Sequence, residues 1–483
     1  MKCLVIGIDG ADHRVLKRFK LRFIEGYINK NVSLDLNEDV WSRGWAKIVT
    51  GKAGSQTGGF YAKPRLDGSH LTTSAFSMDN YKDVDCKPLW EKLNKANYTT
   101  GFMNVPTTGP ATKVNGFMVA GAGGGSDNDG KDSVPKEACY PSDLAEYLNE
   151  MEYTLDVRFS RIVGDISHHD FLMQLIAMQE KQTECFIDLI NAKELDFGFI
   201  ALTSLVRAQN IYMKHIDNMN IDREYTSESV EDYLQQLYVS FDGCLERIIN
   251  AASAEHVILA SDHGQSSQRF TSNINIWLTE NGFSKTKSKK INGPINFIKK
   301  VTPSIIRKLI ARNSTSLKDY LSPVNLDWDA TDAFSLRYIP GIYLNDNSRF
   351  LGRKTDQELL EISERIINKF NQSDLNKKYG MMAEKYRATK TGAKHERLLP
   401  DIWIHHSEDI FPAAAGEKSI QENPNYKYID DLSSVTHDMY AGSKGVKPFV
   451  VCSDSLKEHC GTIEEDDLTA VNSLILKSFG LIK

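Results

Sequence analysis

The chain has 483 residues, enough for one large α/β unit with insertions or for about three domains. Hydrophobic residues make up 41% and charged residues 25%, which excludes an intrinsically disordered chain. The 58 Lys and Arg residues against 64 Asp and Glu residues leave a net charge of −6, which argues against a dedicated nucleic-acid-binding protein. Seven scattered cysteines without CxxC spacing predict neither a disulfide framework nor a structural zinc site.

The N-terminal apolar run spans residues 3–8 and ends directly before Asp9. A secretory signal would need a longer apolar region, of about 7–15 residues, followed by a small-residue cleavage site. The run is therefore predicted to be a first buried strand, and a cytoplasmic location is expected. No run of about 18 apolar residues is present, so no membrane span is predicted.

Short apolar runs rich in β-branched residues alternate with longer helical patterns along the chain. This alternation is typical of the α/β class, with a mostly parallel central sheet and helices on both faces. The predicted strands are residues 4–8, 100–104, 197–203, 257–261, 402–405 and 449–452, and the predicted helices include 87–96, 170–191 and 230–251.

One segment differs in composition from the rest. Between residues 285 and 319 there are ten basic residues and a single acid, Asp319, and apolar residues are interspersed among the charges. Two interpretations remain open: an amphipathic insertion packed on the body of the protein, or a surface at 285–318 that makes peripheral contact with anionic lipid or a polyanionic substrate. The predicted division is a core of 1–284, a basic insertion of 285–325 and the remainder of the core, 326–483.

Polar side chains that can bind metal follow two of the predicted strands and precede the last one. Asp9 follows the first strand, Asp262 and His263 follow a later one, and His437 precedes the final strand. Functional residues of open α/β sheets collect at the carboxyl ends of the strands. Mixed nitrogen and oxygen ligands suit zinc or manganese better than calcium, so these residues predict a divalent-metal site. An Asp after a strand also often serves only as a turn or helix cap.

Several short motifs, taken in their order along the chain, resemble those of the type I phosphodiesterase/nucleotide pyrophosphatase branch of the alkaline phosphatase superfamily. The resemblance covers nearly the whole chain and ends on His437. The matching segments are 5–10, 45–51, 58–60, 88–90, 104–107, 262–263, 274–278, 282–283, 342–345 and 400–402.

The resemblance implies an alkaline-phosphatase-like fold and a metal-dependent phosphoester hydrolase, more of the diesterase or pyrophosphatase type than a monoesterase. It places the first metal on Asp9, Asp262, His263 and the nucleophile, which falls on Ser42. His437 is then a catalytic phosphate-binding residue or the remaining ligand of a second metal. The expected substrate is a phosphorylated small molecule or a glycan or lipid phosphate.

Two positions depart from the family pattern. Counting back from Thr50 and Gly51 places the nucleophile on Trp41, and Ser42 fits only if this chain lacks one residue. The alternatives for Ser42 are a lost nucleophile position or a helix N-cap.

At the second metal site, Val206 and Asn210 stand where the family has Asp and His. His215 and Asp217 are candidate substitutes, although they lie farther along the same predicted helix. Valine cannot bind a metal, and asparagine adds no charge.

Two functional interpretations follow. In one, the enzyme works with a single metal, and His437 with Arg43, Lys47 or Arg207 replaces the second cation. In the other, the chain is a catalytically degenerate member that acts as a ligand-binding or scaffold protein. A sulfatase is less favoured because the chain has no Cys/Ser-x-Pro-x-Arg motif.

Overall fold

The computed structural model describes residues 1–74, 81, 87–121, 133–157, 166–222, 226, 228–286, 326–386, 393–414, 416–432 and 440–482. The chain forms two compact units. The first comprises Met1–Phe60, Ala75–Ser267 and Pro424–Lys483, and the second comprises Tyr61–Ser74 and Gln268–Asn423.

The described strands are β1 (Cys3–Ile8), β2 (Val32–Ser33), β3 (Lys63–Pro64), β4 (Thr72–Thr73), β5 (Thr100–Met103), β6 (Gly116–Val119), β7 (Cys139–Tyr140), β8 (Phe197–Leu202), β9 (His256–Ala260), β10 (Gly264–Ser267), β11 (Phe270–Ser272), β12 (Ala333–Phe334), β13 (Gly341–Leu344), β14 (Met382–Lys385), β15 (Ile402–His405), β16 (Ile410–Pro412), β17 (Ile420–Glu422), β18 (Gly442–Gly445) and β19 (Val450–Cys452). The described helices are α1 (His13–Leu16), α2 (Arg22–Lys30), α3 (Gly44–Thr50), α4 (Gly54–Thr57), α5 (Leu89–Lys95), α6 (Leu144–Glu150), α7 (His168–Ala192), α8 (Ser204–Asp217), α9 (Val230–Ala252), α10 (Ile274–Glu280), α11 (Asn347–Phe350), α12 (Asp356–Asn371), α13 (Asp374–Tyr379), α14 (Lys457–Cys460) and α15 (Thr469–Ser478).

The first unit is built on an eight-stranded sheet in the order β2-β19-β9-β1-β8-β5-β6-β7. The central strands β9, β1, β8, β5 and β6 are parallel to one another, and β19 and β7 pair antiparallel with their inner neighbours. The predicted α/β class with a mostly parallel sheet is confirmed.

Strand β1 shows why its sequence is a continuous apolar run. Leu4, Ile6 and Ile8 belong to the hydrophobic cluster that contains residues of α7, α8 and α9. Cys3 and Val5 point to the opposite face, into the cluster that contains residues of α3, α5 and α15. All five side chains are fully buried, as expected for a strand covered by helices on both faces.

Two of the predicted strands are present, but one belongs to a different sheet and the other runs antiparallel to its neighbour. β15 lies in the four-stranded sheet β12-β13-β15-β14 of the second unit, where it pairs antiparallel with both neighbours. β19 belongs to the central sheet but runs antiparallel to β9. An apolar run reports burial, and it carries no information about the direction of the partner strand.

The second unit also contains the three-stranded sheet β16-β11-β17 and the hairpin β3-β4. Its core joins α10 and α12 to β13 and β15 through residues such as Trp277, Ile342, Ile366 and Ile402. Of the predicted insertion 285–325, only the first two residues are described: Asp327 N–H donates to the Lys285 carbonyl, and Thr286 bridges Leu326. The amphipathic helix, the membrane contact at 285–318 and the three-segment division remain predictions. None of the helices in the described ranges is long and apolar enough to cross a membrane.

Candidate active site

Three of the predicted metal ligands lie at one edge of the central sheet. Strands β1 and β9 are adjacent and parallel, with Gly7 paired to Ala260, so the residues that follow them emerge side by side. Asp9 directly follows β1, and Asp262 and His263 follow β9 after one intervening residue. The predicted convergence at the carboxyl ends of the strands is therefore observed.

The ligand atoms of this trio lie within 4.8 Å of one another. His263 Nε2 is 3.6 Å from Asp9 Oδ1 and 3.6 Å from Asp262 Oδ2. The Asp262 and His263 side chains are almost completely buried, and that of Asp9 is 13% exposed, so the site reaches solvent through Asp9.

The protonation of His263 indicates what this arrangement holds. Its Nδ1 is 2.6 Å from the Gly264 carbonyl oxygen, which can only accept, so Nδ1 carries the hydrogen. Burial lowers the pKa of His263 to about 3, so the ring is neutral and Nε2 presents a lone pair. Nε2 and one oxygen of each carboxylate then face one another as three potential ligand atoms. Three converging acceptors in a buried site fit a divalent cation.

The pKa of the Asp9 carboxyl group lies above the usual range of an aspartate. Burial raises its pKa to about 6, with a further contribution from the negative charge of Asp262. The positive charges of Lys444 and Arg207 act in the opposite direction.

We expect Mn²⁺ affinity to rise with pH up to about 6 and then to level off. A metal binds only the deprotonated carboxylate, so below the Asp9 pKa the affinity falls by about tenfold per pH unit. Calorimetric titration from pH 5 to pH 8 measures this dependence. The Asp9→Asn variant serves as the control, since its weaker affinity should not change over the same range. Equally steep change between pH 6 and pH 8 would contradict the assignment.

The start of α3 abuts this cluster. A Cβ atom added at Gly44 would lie 2.0 Å from the Asp262 carbonyl oxygen, so only glycine allows the helix to approach so closely. The N-cap of α3 is Arg43, without a side-chain capping bond, so the interpretation of Ser42 as the N-cap is wrong. Ser42 is buried, and its hydroxyl donates to Asp39 Oδ2 at 2.7 Å. Its roles as nucleophile and metal ligand remain predictions.

Trp41, the other residue to which the motif count pointed, is a packing residue. It is 1% exposed, and its ring stacks on Phe60 with a centroid distance of 4.0 Å. An indole cannot attack phosphorus, so Ser42 is the chemically competent side chain at this turn.

The second metal site of the family is filled differently here. Val206 is buried against the turn after β1. A Cβ atom added at Gly10 would lie 2.9 Å from Val206 Cγ2. The Asn210 carbonyl accepts from Ala441 N–H. His437 lies outside the described residues, so its assignment remains a prediction.

The two candidate substitutes contact the segment after residue 424 instead. His215 Nε2 accepts from Ile429 N–H, and its Nδ1 is 3.0 Å from Glu231. Asp217 accepts from the hydroxyls of Ser267 and Tyr426. Both side chains thus form hydrogen bonds within the fold, and their roles as substitute ligands remain predictions.

The three predicted cations have different surroundings. Arg43 donates to the Phe60 carbonyl oxygen, and Arg207 forms two bonds of 2.9 Å with the buried Asp156. The charge of Arg207 also acts on Asp9, so it belongs to the site's electrostatics. Lys47 is 2.8 Å from Glu38 and 2.9 Å from Asp467, in a buried ion cluster. Lys47 is therefore a structural residue.

The sequence interpretation missed a fourth cation, Lys444 on β18. Its Nζ lies 3.9 Å from Asp262 Oδ2, and β18 pairs with β10 directly after His263. Burial lowers the pKa of Lys444, and the positive charges of Arg43 and Arg207 act in the same direction, whereas the negative charges of Asp262 and Asp9 oppose it. Its local sequence, Gly-Ser-Lys-Gly, carries no signal for this position. Asp39 was missed as well. It lies three residues before Ser42, directly before the turn into α3, and this spacing suggests a contact between the Asp39 and Ser42 side chains.

Replacing Lys47 by methionine is expected to lower the free energy of unfolding by about 3–5 kcal/mol, because it leaves buried carboxylates without their counter-charge. Urea denaturation measures the loss. Lys95→Met, at an exposed position on α5, is the control and should change stability by no more than about 0.5 kcal/mol. Equal stability of the two variants would contradict a structural role for Lys47.

Fold and site together define an α/β protein with a carboxylate–histidine cluster at the ends of parallel strands. The model of the type I phosphodiesterase/nucleotide pyrophosphatase family matches residues 3–428. The chain belongs to this family, which places it among the phosphoric ester hydrolases, and the resemblance seen in its motifs is confirmed.

Two solved structures are similar to this chain, and the first of them supports the fold. Phosphonoacetate hydrolase from Sinorhizobium meliloti 1021, in complex with phosphonoformate, is similar with 10% identity and a TM-score of 0.54, over 99% of this chain and 96% of its own. An inactive form of murine ectonucleotide pyrophosphatase/phosphodiesterase 5, in complex with AMP, is similar with 12% identity and a TM-score of 0.47, over 100% of this chain and 96% of its own. Comparison with curated protein sequences gives no match.

Proposed function

We propose that this chain is a hydrolase of phosphodiester or pyrophosphate bonds that uses one divalent metal, zinc or manganese, and Ser42 as its nucleophile. The observation that carries the proposal is the convergence of Asp9, Asp262 and His263. Two carboxylates and a neutral imidazole with ligand atoms within 4.8 Å of one another form a donor set that suits a divalent cation. The close approach of α3 to Asp262 supports the assignment of Ser42, which lies two residues before Gly44.

The chain's own residues have distinct roles in this reaction. Asp9, Asp262 and His263 would hold the metal, which when bound supplies positive charge for the phosphoryl oxygens and acidifies a coordinated hydroxyl. Ser42 Oγ attacks phosphorus and forms a phosphoserine, which water then hydrolyses. Arg207 adds positive charge beside the acidic cluster, and Lys444 Nζ, 3.9 Å from Asp262 Oδ2, is a further donor for the phosphoryl oxygens.

A non-catalytic ligand-binding or scaffold protein is the second candidate. It is favoured by Val206 and Asn210 at the second metal site and by the packed Trp41 at the counted nucleophile position. The intact trio and the buried Ser42 hydroxyl favour the enzyme.

Turnover of the purified full-length chain separates the two candidates. With saturating Zn²⁺ or Mn²⁺ we expect hydrolysis of bis-p-nitrophenyl phosphate or of a dinucleoside pyrophosphate, abolished by a chelator and restored by the metal. Stoichiometric metal binding without turnover of any phosphodiester, pyrophosphate or phosphomonoester would contradict the hydrolase and support the binding protein.

Lys444→Met is expected to lower kcat/KM by about 10- to 100-fold, the range for losing a hydrogen bond to a charged group. Bound metal should remain near one per chain, since the ligands are untouched. Lys447→Met, three residues along and paired with exposed Asp35, provides the control and should leave kcat/KM unchanged. If both variants have wild-type kinetics, Lys444 has no part in binding the phosphoryl group.

A further inference from the structure

The Ser42 hydroxyl has a carboxylate partner of its own. Its Oγ donates to Asp39 Oδ2 at 2.7 Å, a normal length for a charge-assisted hydrogen bond from a hydroxyl. A serine hydroxyl has one hydrogen, so the bond to Asp39 leaves both Oγ lone pairs directed elsewhere.

Asp39 is held in a defined orientation. Its other oxygen, Oδ1, accepts from Trp41 N–H at 2.9 Å and from Ser42 N–H at 2.6 Å. Lys47 Nζ lies 3.8 Å from Oδ2. The carboxylate thus has one oxygen committed to the backbone and the other directed at the Ser42 hydroxyl.

The ion cluster around Lys47 adjoins the Asp39 carboxylate. Lys47 is anchored by Glu38 and Asp467, and these acids in turn accept backbone N–H groups of Leu468 and Thr469. Lys47 and Glu38 are buried, and this network holds Lys47 Nζ close to Asp39, whose carboxylate in turn accepts from the Ser42 hydroxyl.

From this geometry we infer that Asp39 is the base that accepts the Ser42 proton during attack on phosphorus. The inference rests on the proposed function, because it needs Ser42 as the nucleophile. It adds an acceptor for the Ser42 proton, a role that neither the metal ligands nor Lys444 fills.

The step balances without any further reactant. The Oγ–P bond forms, the bond from phosphorus to the leaving oxygen breaks with its electron pair on that oxygen, and the Ser42 proton moves to Asp39 Oδ2. In the second half, a water oxygen bonds to phosphorus, the Oγ–P bond breaks, and Asp39 returns its proton to Oγ. One water is consumed, its proton ends on the product phosphate or in solvent, and the leaving group takes a proton from solvent.

The same hydrogen bonds would also be present if Asp39 only shaped the turn before α3. Asp39→Asn distinguishes the two roles. An asparagine Oδ1 can still accept from the two backbone N–H groups, whereas its Nδ2 cannot accept the Ser42 hydrogen. Asp35→Asn, a largely exposed carboxylate in the same segment, is the matched control.

Two measurements on the metal-loaded full chain test the inference. In steady state, Asp39→Asn should lower kcat by about 100- to 10,000-fold, the range for losing a general base, with KM and the melting temperature close to wild type. In the second, a fluorophosphonate probe should label Ser42, with fluoride leaving phosphorus, and Asp39→Asn should slow this labelling at least about 100-fold. Asp35→Asn should behave as wild type in both.

The outcomes are separable. If Ser42→Ala is inactive while Asp39→Asn keeps kcat and labelling within about threefold of wild type, the inference fails and the proposed function stands. If the wild-type chain shows no turnover but Ser42 is labelled rapidly and only with Asp39 intact, the inference stands and the proposed function fails. Absence of labelling at Ser42 in the wild-type chain overturns the inference.

Discussion

Replacing His263 by alanine is expected to weaken Mn²⁺ or Zn²⁺ binding by more than about 100-fold. This exceeds the loss of affinity that follows removal of a residue that only orients a ligand. His263 is the single nitrogen donor of the described trio, and its Nε2 stands 3.6 Å from an oxygen of each carboxylate. Its removal leaves two carboxylates, a set that binds zinc poorly. Isothermal titration calorimetry and metal analysis of the purified chain measure the loss.

His256→Ala is the matched control for that experiment. His256 begins the same strand, β9, whose other end leads to His263, and it is likewise buried, with its Nδ1 3.0 Å from Ser455. The control should bind metal as tightly as the wild type. An equal loss in both variants would mean that the effect comes from the fold, and a wild-type chain that binds no divalent cation would remove the metal assignment itself.

Replacing Ser42 by alanine is expected to lower kcat by at least about 1,000-fold while the bound metal is retained, because the phosphoserine can no longer form. The structural cost is moderate: the variant loses one hydrogen bond to the charged Asp39 carboxylate, about 1.5–3 kcal/mol. Steady-state kinetics measure the first effect. Intact-mass analysis after rapid acid quench should show a phosphorylated wild-type chain and an unmodified variant.

Ser33→Ala is the control for this substitution, since Ser33 is an exposed hydroxyl on the edge strand β2. It should leave kcat unchanged. If Ser42→Ala keeps more than about one tenth of wild-type kcat, another group attacks phosphorus, and the one-residue gap inferred between Ser42 and Trp45 is wrong.

The sequence predicted four of the five parallel strands of the central sheet, β1, β5, β8 and β9, because burial on both faces leaves an unbroken apolar run; β6 was not predicted. Strands β1, β8 and β9 formed within one residue of their predicted ends. The second unit was not predicted, since its strand β15 has the same apolar character as a central strand. Partner and direction depend on segments far away in sequence, which a local pattern does not record.

The metal trio was also predictable, and the remainder of the site was not. Asp9 and the pair Asp262-His263 each follow a buried strand, so parallel pairing of β1 and β9 was sufficient to bring them together. Lys47 has the same charge as Lys444 and lies close to Ser42 in sequence. It was a plausible phosphate-binding residue until its contact with Asp467, 420 residues away, appeared.

By itself, the sequence determined the α/β class, five of the eight strands of the central sheet and the three residues able to hold a metal, because local patterns indicate which residues are buried and where a strand ends. Only the tertiary structure decided which cation lies beside Asp262 and which carboxylate accepts the hydrogen bond of the Ser42 hydroxyl. It also decided which lysine forms ion pairs in a buried cluster. Those outcomes depend on the distances between side chains that the fold brings together from distant positions, and electrostatic interactions depend on such distances.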